Sequence, residues 1–245
     1  YDNPANTFTT NNVGLINFFE ILRNKRKNNL KTVIVFTSDK VYKNLNTRKS
    51  YSENDSLGGD DPYSASKACQ EIICESYYKS FFIKKFSLIN IRAGNIIGGG
   101  DWSKNRIIPD IIYSIFENKS LYIRNLNHTR PWQHVLDICN AIHIIIAKYK
   151  INNFNKYNIG PNVNNKTVKN ILNKFGIKKI KNKNSNYVEK KLLNLNSNKI
   201  LKDLNIKNKI SFSKCIDLTY LWYKSYYNKN NIINFTKNQI KNFKH

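Results

Sequence analysis

The sequence predicts an α/β fold: a doubly wound parallel sheet, followed after residue 95 by a smaller C-terminal domain. Three observations carry this. Thr32-Val33-Ile34-Val35-Phe36 is a continuous β-branched and aromatic run with no polar alternation, the pattern of a strand buried on both faces. Phe86-Ser87-Leu88-Ile89-Asn90-Ile91 is a second strand of the same kind. Helical patterns precede and separate the two, and helix, strand, helix, strand is the rhythm of parallel sheets with crossover helices.

In chain order, residues 9–27 read as a helix with Val13, Leu15, Ile16, Phe18, Phe19, Ile21 and Leu22 at its apolar positions. After the 32–36 strand a polar loop runs through Gly58-Gly59. Asp61 then supplies an N-cap and Pro62 a first helical residue, starting a helix that extends to about Phe82. Past residue 95 the texture changes: Gly98-Gly99-Gly100 interrupts the pattern, and shorter helices are expected near 107–118, 135–149, 166–175, 196–204 and 213–227. Tyr157-Asn158-Ile159 reads as a late return strand, within 156–160, and the Asn- and Lys-rich tail is expected to fray. The organisation is therefore 1–95, 96–228 and a flexible 229–245.

Composition narrows the function. At 245 residues, 40% hydrophobic and 13% aromatic, the chain can bury a core. No apolar run reaches membrane-spanning length and the N-terminus is not a signal peptide. Lys and Arg total 41 against 16 Asp and Glu, a net +25, which taken alone suggests a polyanion. The excess is mostly Lys scattered among Asn and Ile, residues whose codons need only A and T, so coding bias accounts for it without a nucleic-acid partner. The charge does suit an anionic substrate. Cys69, Cys74, Cys139 and Cys215 form no CxxC pair and His128, His134, His143 and His245 do not cluster. This predicts no metal site and reduced thiols in a cytoplasmic protein. The chain opens on Tyr1 and holds no Met, which reads as a fragment or a processed product.

Ligands of open α/β sheets bind beyond the carboxyl ends of the strands, and Thr37-Ser38-Asp39-Lys40 stands there after the first strand. Alone, those residues are also what an ordinary polar turn contains. Tyr63 and Lys67 lie four apart and share a helix face. An ammonium beside a phenol favours the phenolate, which can take a proton from a hydroxyl near neutral pH. YxxxK arises often by chance, and an exposed Tyr and Lys on a helix surface is the alternative.

Buried strand, Ser/Thr hydroxyl and YxxxK together resemble the short-chain dehydrogenase/reductase superfamily. Thr37-Ser38-Asp39-Lys40-Val41-Tyr42 resembles its extended branch, which acts on nucleotide sugars. Three longer strings are similar to the CDP-glucose 4,6-dehydratases within it: Leu57-Gly58-Gly59-Asp60-Asp61-Pro62-Tyr63-Ser64, Arg92-Ala93-Gly94-Asn95-Ile96-Ile97-Gly98-Gly99-Gly100-Asp101-Trp102, and Arg130-Pro131-Trp132-Gln133-His134-Val135. The dTDP-glucose relatives carry Glu where Lys40 stands and Asp where Pro131 stands. The resemblance runs from about residue 4 to 224.

The resemblance implies a Rossmann-like NAD-binding domain, a C-terminal sugar-nucleotide domain, and dehydration of CDP-glucose to CDP-4-keto-6-deoxyglucose by internal hydride transfer. It implies Tyr63 as the base at the C4 hydroxyl and Lys67 as its partner, both at the nicotinamide end of NAD. Ser38 would hydrogen-bond at C4, Asp39 protonate the departing C6 hydroxyl, and Lys40 hold the place of the C5 base. Asn11, Arg92, Asn95, Arg106 and Arg130 would bind substrate, the last two at its diphosphate, where guanidinium forks suit phosphate oxygens. Trp102, Trp132 and His134 are expected to be structural, and a homodimer through the YxxxK helix is implied. Family members open with a strand, a Gly-rich turn and a helix that hold the pyrophosphate. No such glycine motif occurs in this sequence, so the chain is expected to lack the N-terminal βαβ unit. Two alternatives stay open. An epimerase or decarboxylase of the same family would keep YxxxK but need no Asp39-Lys40 pair, and a truncated remnant would catalyse nothing.

Overall fold

The computed structural model describes residues 3–24, 29–148, 153–161, 166–182 and 192–244. They fall into two units. The first comprises Tyr1–Gly94, Ala141–Asn162 and Leu193–Lys207; the second comprises Asn95–Asn140, Val163–Leu192 and Asn208–His245.

In the first unit the expected parallel sheet is present. Its middle strand, Ser87–Ala93, pairs in parallel with Thr32–Phe36 on one side and with Phe154–Ile159 on the other. The register sets Val33 opposite Leu88 and Ile91 opposite Tyr157. Ser87 through Arg92 are all buried, the burial that a run without alternation requires.

The first helix starts earlier than its apolar pattern suggests. Asn3 accepts a hydrogen bond from the Asn6 amide at 3.0 Å and Pro4 takes the first position. A π turn, Thr9–Val13, then leads into Gly14–Asn24; the expected continuation through residues 25–27 lies outside the described residues. The Pro62–Tyr77 helix starts at its expected cap, with Asp61 accepting from the Ser64 amide at 2.9 Å, and a second π turn carries it to Phe82. The two helical segments close on the sheet through Phe19, Val33, Val35, Cys74, Tyr78, Phe82, Phe86 and Leu88. Phe19 meets Phe82 edge-on at 5.5 Å between ring centroids. Each such ring contributes roughly 1.5–3 kcal/mol of burial.

The second unit is built around Ile107–Phe116 and Phe212–Tyr227, with Ile108, Ile111, Ile112, Trp132, Ile216 and Tyr223 in its core. Short pairings tie its loops: Ile96–Ile97 with Gln133–His134 in parallel, and Thr129–Arg130 with Lys166–Thr167 antiparallel. Trp102 packs edge-on to Tyr223 at 5.1 Å, and the Trp132 indole donates to the Lys166 carbonyl at 2.9 Å. Both tryptophans are thus engaged in packing.

Two expectations are corrected here. The segments 141–162 and 193–207 belong to the first unit, whereas the sequence reading returned only the strand near 156–160 to it. The 229–245 tail does not fray as expected: Ile232–Lys244 is a helix, capped where Asn231 accepts from the Asn234 amide at 3.0 Å. Ile232, Phe235, Thr236, Gln239 and Phe243 fall on one half-buried stripe. Thr236 accepts from the Trp222 indole and Gln239 donates to the Leu218 carbonyl, both at 2.9 Å. Helical spacing of a few partly apolar residues outweighed a composition of Asn and Lys. No described helix is long and apolar enough to cross a membrane.

Candidate active site

The carboxyl end of Thr32–Phe36 delivers four polar side chains in succession, and their directions differ. Thr37 turns inward: its hydroxyl donates to the Glu71 carboxylate at 2.5 Å. Ser38 is extended and caps the 3-10 turn Asp39–Val41, accepting from the Lys40 amide at 3.2 Å and donating to the Asp39 carboxylate at 3.0 Å. Asp39 is 5% exposed. Lys40 reaches across to the YxxxK helix, where its ammonium sits 5.8 Å from the centroid of the Tyr63 ring. Tyr63, on the first turn of that helix, is 42% exposed. The structure therefore brings Ser38, Asp39, Lys40 and Tyr63 to one place.

Lys67 shares that helix face, but its described partners are elsewhere. Its ammonium donates to the Phe36 carbonyl at 3.1 Å and to Gln70 Oε1 at 3.0 Å. Burial pushes its pKa down from the ordinary lysine value. Two N–H bonds are used in this way and a third remains, which suits a hydroxyl of a bound ligand.

Asn11 lies in the π turn and faces the same helix. Its side-chain amide donates to the Ser66 hydroxyl at 2.9 Å, and Ser66 donates to the Tyr63 carbonyl at 2.8 Å. The Asn11 carbonyl accepts from Gln70 Nε2 at 2.6 Å. Asn11 is therefore a clamp on the Tyr63 helix, which its expected substrate role did not include. Gln70 was missed by the sequence reading. The available signal was its spacing, three residues past Lys67 on the face that already carries Tyr63 and Lys67.

Arg92 is a correction. Expected at the substrate, it is 1% exposed and committed to the interior of the first unit. Its guanidinium pairs with Glu71, also 1% exposed, and donates to the Tyr42 hydroxyl at 3.0 Å and the Glu53 carbonyl at 3.1 Å. Arg92 stands at the end of its strand, but its side chain turns to Glu71 on the Pro62–Tyr77 helix.

Asn95, Arg106 and Arg130 belong to the second unit. Asn95 is half-buried and its carbonyl accepts from the Gln133 amide at 2.9 Å. Arg106 precedes the Ile107–Phe116 helix, 65% exposed, with Asp101 at 3.3 Å. Arg130 is 8% exposed and donates to the Thr129 carbonyl at 2.8 Å. A Cβ at Gly99 would come within 2.0 Å of the Trp222 ring and one at Gly98 within 2.6 Å of Val135, while Gly100 adopts a positive φ of 86°.

Comparison with known proteins agrees with this architecture. The model of the GDP-mannose 4,6-dehydratase family matches residues 1–219. The CDP-glucose 4,6-dehydratase of Salmonella typhimurium is 40% identical over 185 residues, covering 71% of this chain and 51% of that protein. The dTDP-D-glucose 4,6-dehydratase of Dictyostelium discoideum is 36% identical over 165 residues, 62% of this chain and 36% of that protein. Among solved structures, dTDP-glucose 4,6-dehydratase from Bacillus anthracis in complex with NAD superposes with a TM-score of 0.76 at 25% identity, over 89% of this chain and 68% of that one. The chain thus spans about half the length, or less, of the curated relatives it matches.

Proposed function

The chain belongs to the GDP-mannose 4,6-dehydratase family, and on that premise we propose that it forms the catalytic and sugar-nucleotide-binding portion of an NAD-dependent CDP-glucose 4,6-dehydratase. The observation that carries this is the meeting of Lys40 with Tyr63 beside Ser38 and Asp39, at the carboxyl end of a parallel strand. A proton acceptor for a hydroxyl and an acid/base pair for an elimination then face one region. The 40% identity to the Salmonella enzyme supports CDP-glucose over its dTDP counterpart.

In the proposed cycle Tyr63 takes the C4 hydroxyl proton while Ser38 hydrogen-bonds at C4. The ketone formed at C4 acidifies the C5 proton, which Lys40 removes. Asp39 protonates the departing C6 hydroxyl, so that water leaves across C5 and C6. The residues present fit the nicotinamide end of NAD, with the third Lys67 N–H and the Tyr63 side chain, 42% exposed, as its proposed contacts. When bound, NAD would accept hydride from C4 and return it to C6, with the proton held by Lys40 going back to C5. Arg106, exposed and held by one aspartate, is suited to exchange that partner for a diphosphate. Asn95 and the more buried Arg130 are the other second-unit residues proposed to contact substrate. We further propose a cytoplasmic homodimer: Val13, Phe18, Ile21 and Ile72 on the two long helical segments are 44–67% exposed, apolar area that a second copy would cover.

The test uses protein extended to the full length of its relatives. Competition between CDP-glucose and dTDP-glucose in one vessel gives the ratio of specificity constants, expected to favour CDP-glucose. Tyr63→Phe is expected to lower turnover roughly a hundred- to ten-thousand-fold with CDP-glucose binding retained. Wild-type turnover in that variant, or a reversed preference, overturns the assignment.

A further inference from the structure

We propose that Gln70 is the positioning residue of Lys67, holding its ammonium between the end of the Thr32–Phe36 strand and the π turn so that one N–H stays directed at a ligand. The proposal rests on the reading of Tyr63 and Lys67 as the acid/base pair.

The geometry is a bridge. Gln70 Oε1 accepts from Lys67 at 3.0 Å while Gln70 Nε2 donates to the Asn11 carbonyl at 2.6 Å. Gln70 is 7% exposed, so both ends of its amide need partners inside the protein. The amide's direction is fixed by them: the carbonyl oxygen can face only the ammonium, and the NH2 only the carbonyl. Asn11 is itself anchored by its bond to Ser66 at 2.9 Å. The π turn displaces its carbonyls from the ordinary helical ladder, and that of Asn11 is the one Gln70 uses.

A four-carbon lysine chain is otherwise adaptable. With the Phe36 carbonyl at 3.1 Å as second acceptor, two of its three N–H directions are set, and the tetrahedral ammonium sets the third. Titratable neighbours on the packed elements are Tyr63 and Glu71 on the same helix, Asp39 and Lys40 on the 3-10 turn, and Arg92 on Ser87–Ala93. Pro4–Phe8 and the π turn carry none. Burial lowers the Lys67 pKa, so each acceptor of its charged form matters.

The test is Gln70→Met, which keeps the length and removes both hydrogen bonds, beside Gln70→Glu, which keeps an acceptor and adds a charge. The first readout needs no cofactor: NMR titration of the Lys67 side chain labelled at its ε-carbon, assigned with Lys67→Arg. Its midpoint is expected to fall in Gln70→Met and rise in Gln70→Glu. In the full-length protein Gln70→Met is expected to raise the KM for NAD about tenfold, the worth of one hydrogen bond to a charged group, with a smaller change in kcat. Circular dichroism reports folding, and Gln70→Glu carries the titration test if Gln70→Met unfolds. Identical Lys67 titration in wild type and either folded variant overturns the inference. An active Tyr63→Phe enzyme would instead overturn the reading beneath it.

Discussion

Arg92 holds Glu71 by two parallel hydrogen bonds, Nε to Oε1 at 3.0 Å and Nη2 to Oε2 at 2.8 Å, with each side chain 1% exposed. The same carboxylate accepts from Thr37 at 2.5 Å and from Asn90 at 3.0 Å. One buried ion pair therefore ties the middle strand and the end of the Thr32–Phe36 strand to the helix that bears Tyr63 and Lys67.

Removing one partner leaves the other charge buried and unpaired, which costs about 3–5 kcal/mol. Glu71→Gln is expected to lose that much in denaturant unfolding, and the paired change Glu71→Leu with Arg92→Met to recover much of it. Burial raises the Glu71 pKa, but the Arg92, Thr37 and Asn90 contacts outweigh it and hold it below the ordinary 4.5. The ionised form thus stabilises the fold above pH 4.5, and this contribution fades as pH falls through the lower folded value. Wild type should show that acid loss and Glu71→Gln should not. Equal acid sensitivity in both would contradict the assignment.

Gly59 and Gly14 predict opposite results for the same substitution. A Cβ at Gly59 would lie 2.3 Å from the Ala65 amide nitrogen and 2.5 Å from the Ser64 carbonyl carbon. Both are backbone atoms of the turn that carries Tyr63, so strain has no flexible side chain to absorb it. Gly59→Ala is expected to cost about 1–3 kcal/mol and to lower activity by moving Tyr63. At Gly14 nothing lies within 4 Å and the backbone is helical. Gly14→Ala is expected to stabilise by about 0.5–1 kcal/mol. Thermal melts of the two variants decide both.

What the sequence made legible follows a physical divide. Features written locally were readable: the unbroken apolar strands, the Asp61-Pro62 helix start, and the hydroxyl, carboxylate and amine that leave Thr32–Phe36 together. Features that depend on distant partners were not. Arg92 stands at the end of a strand like a ligand residue, and only its pairing with Glu71 reveals a structural role. Nothing near Gln70 in sequence indicates that the Asn11 carbonyl will meet it. The π turn depends on an offset in helical hydrogen bonding that residue type does not encode, and the C-terminal helix was hidden because its stripe is half polar.

His134 should give the fold a distinct acid dependence. It is 2% exposed; its Nδ1 accepts from the Leu136 amide at 3.2 Å, and Nε2 has no hydrogen-bond partner among the described residues. Burial pushes its pKa down to about 4 from 6.5. The folded state therefore keeps a neutral ring that the unfolded chain protonates. Stability from this group is complete above pH 6.5 and is lost as pH falls towards about 4, at up to about 1.4 kcal/mol per unit. His134→Asn places an oxygen near the Nδ1 position and cannot titrate. Its stability curve should lack this slope, and parallel curves between wild type and variant would refute the claim.

Lys40 can serve the proposed elimination in two ways. It could take the C5 proton, or its charge could stabilise the enolate while another group takes the proton. Its ammonium lies 5.8 Å from the Tyr63 ring, close enough to a sugar held at Tyr63 for either role. Two substitutions separate them in the full-length protein. Lys40→Met keeps the unbranched apolar stem and loses both charge and base. Lys40→Arg keeps a cation that does not give up its proton. If Lys40 is the base, both variants should still oxidise C4, and both should lose C5 exchange with deuterated water by roughly a hundred- to ten-thousand-fold. If the role is electrostatic, Lys40→Arg should retain exchange while Lys40→Met loses it. We propose the base, the role that the sequence resemblance implies for the position of Lys40. Near-normal C5 exchange in Lys40→Arg would reassign Lys40 to charge stabilisation, and normal exchange in Lys40→Met would remove it from the elimination altogether.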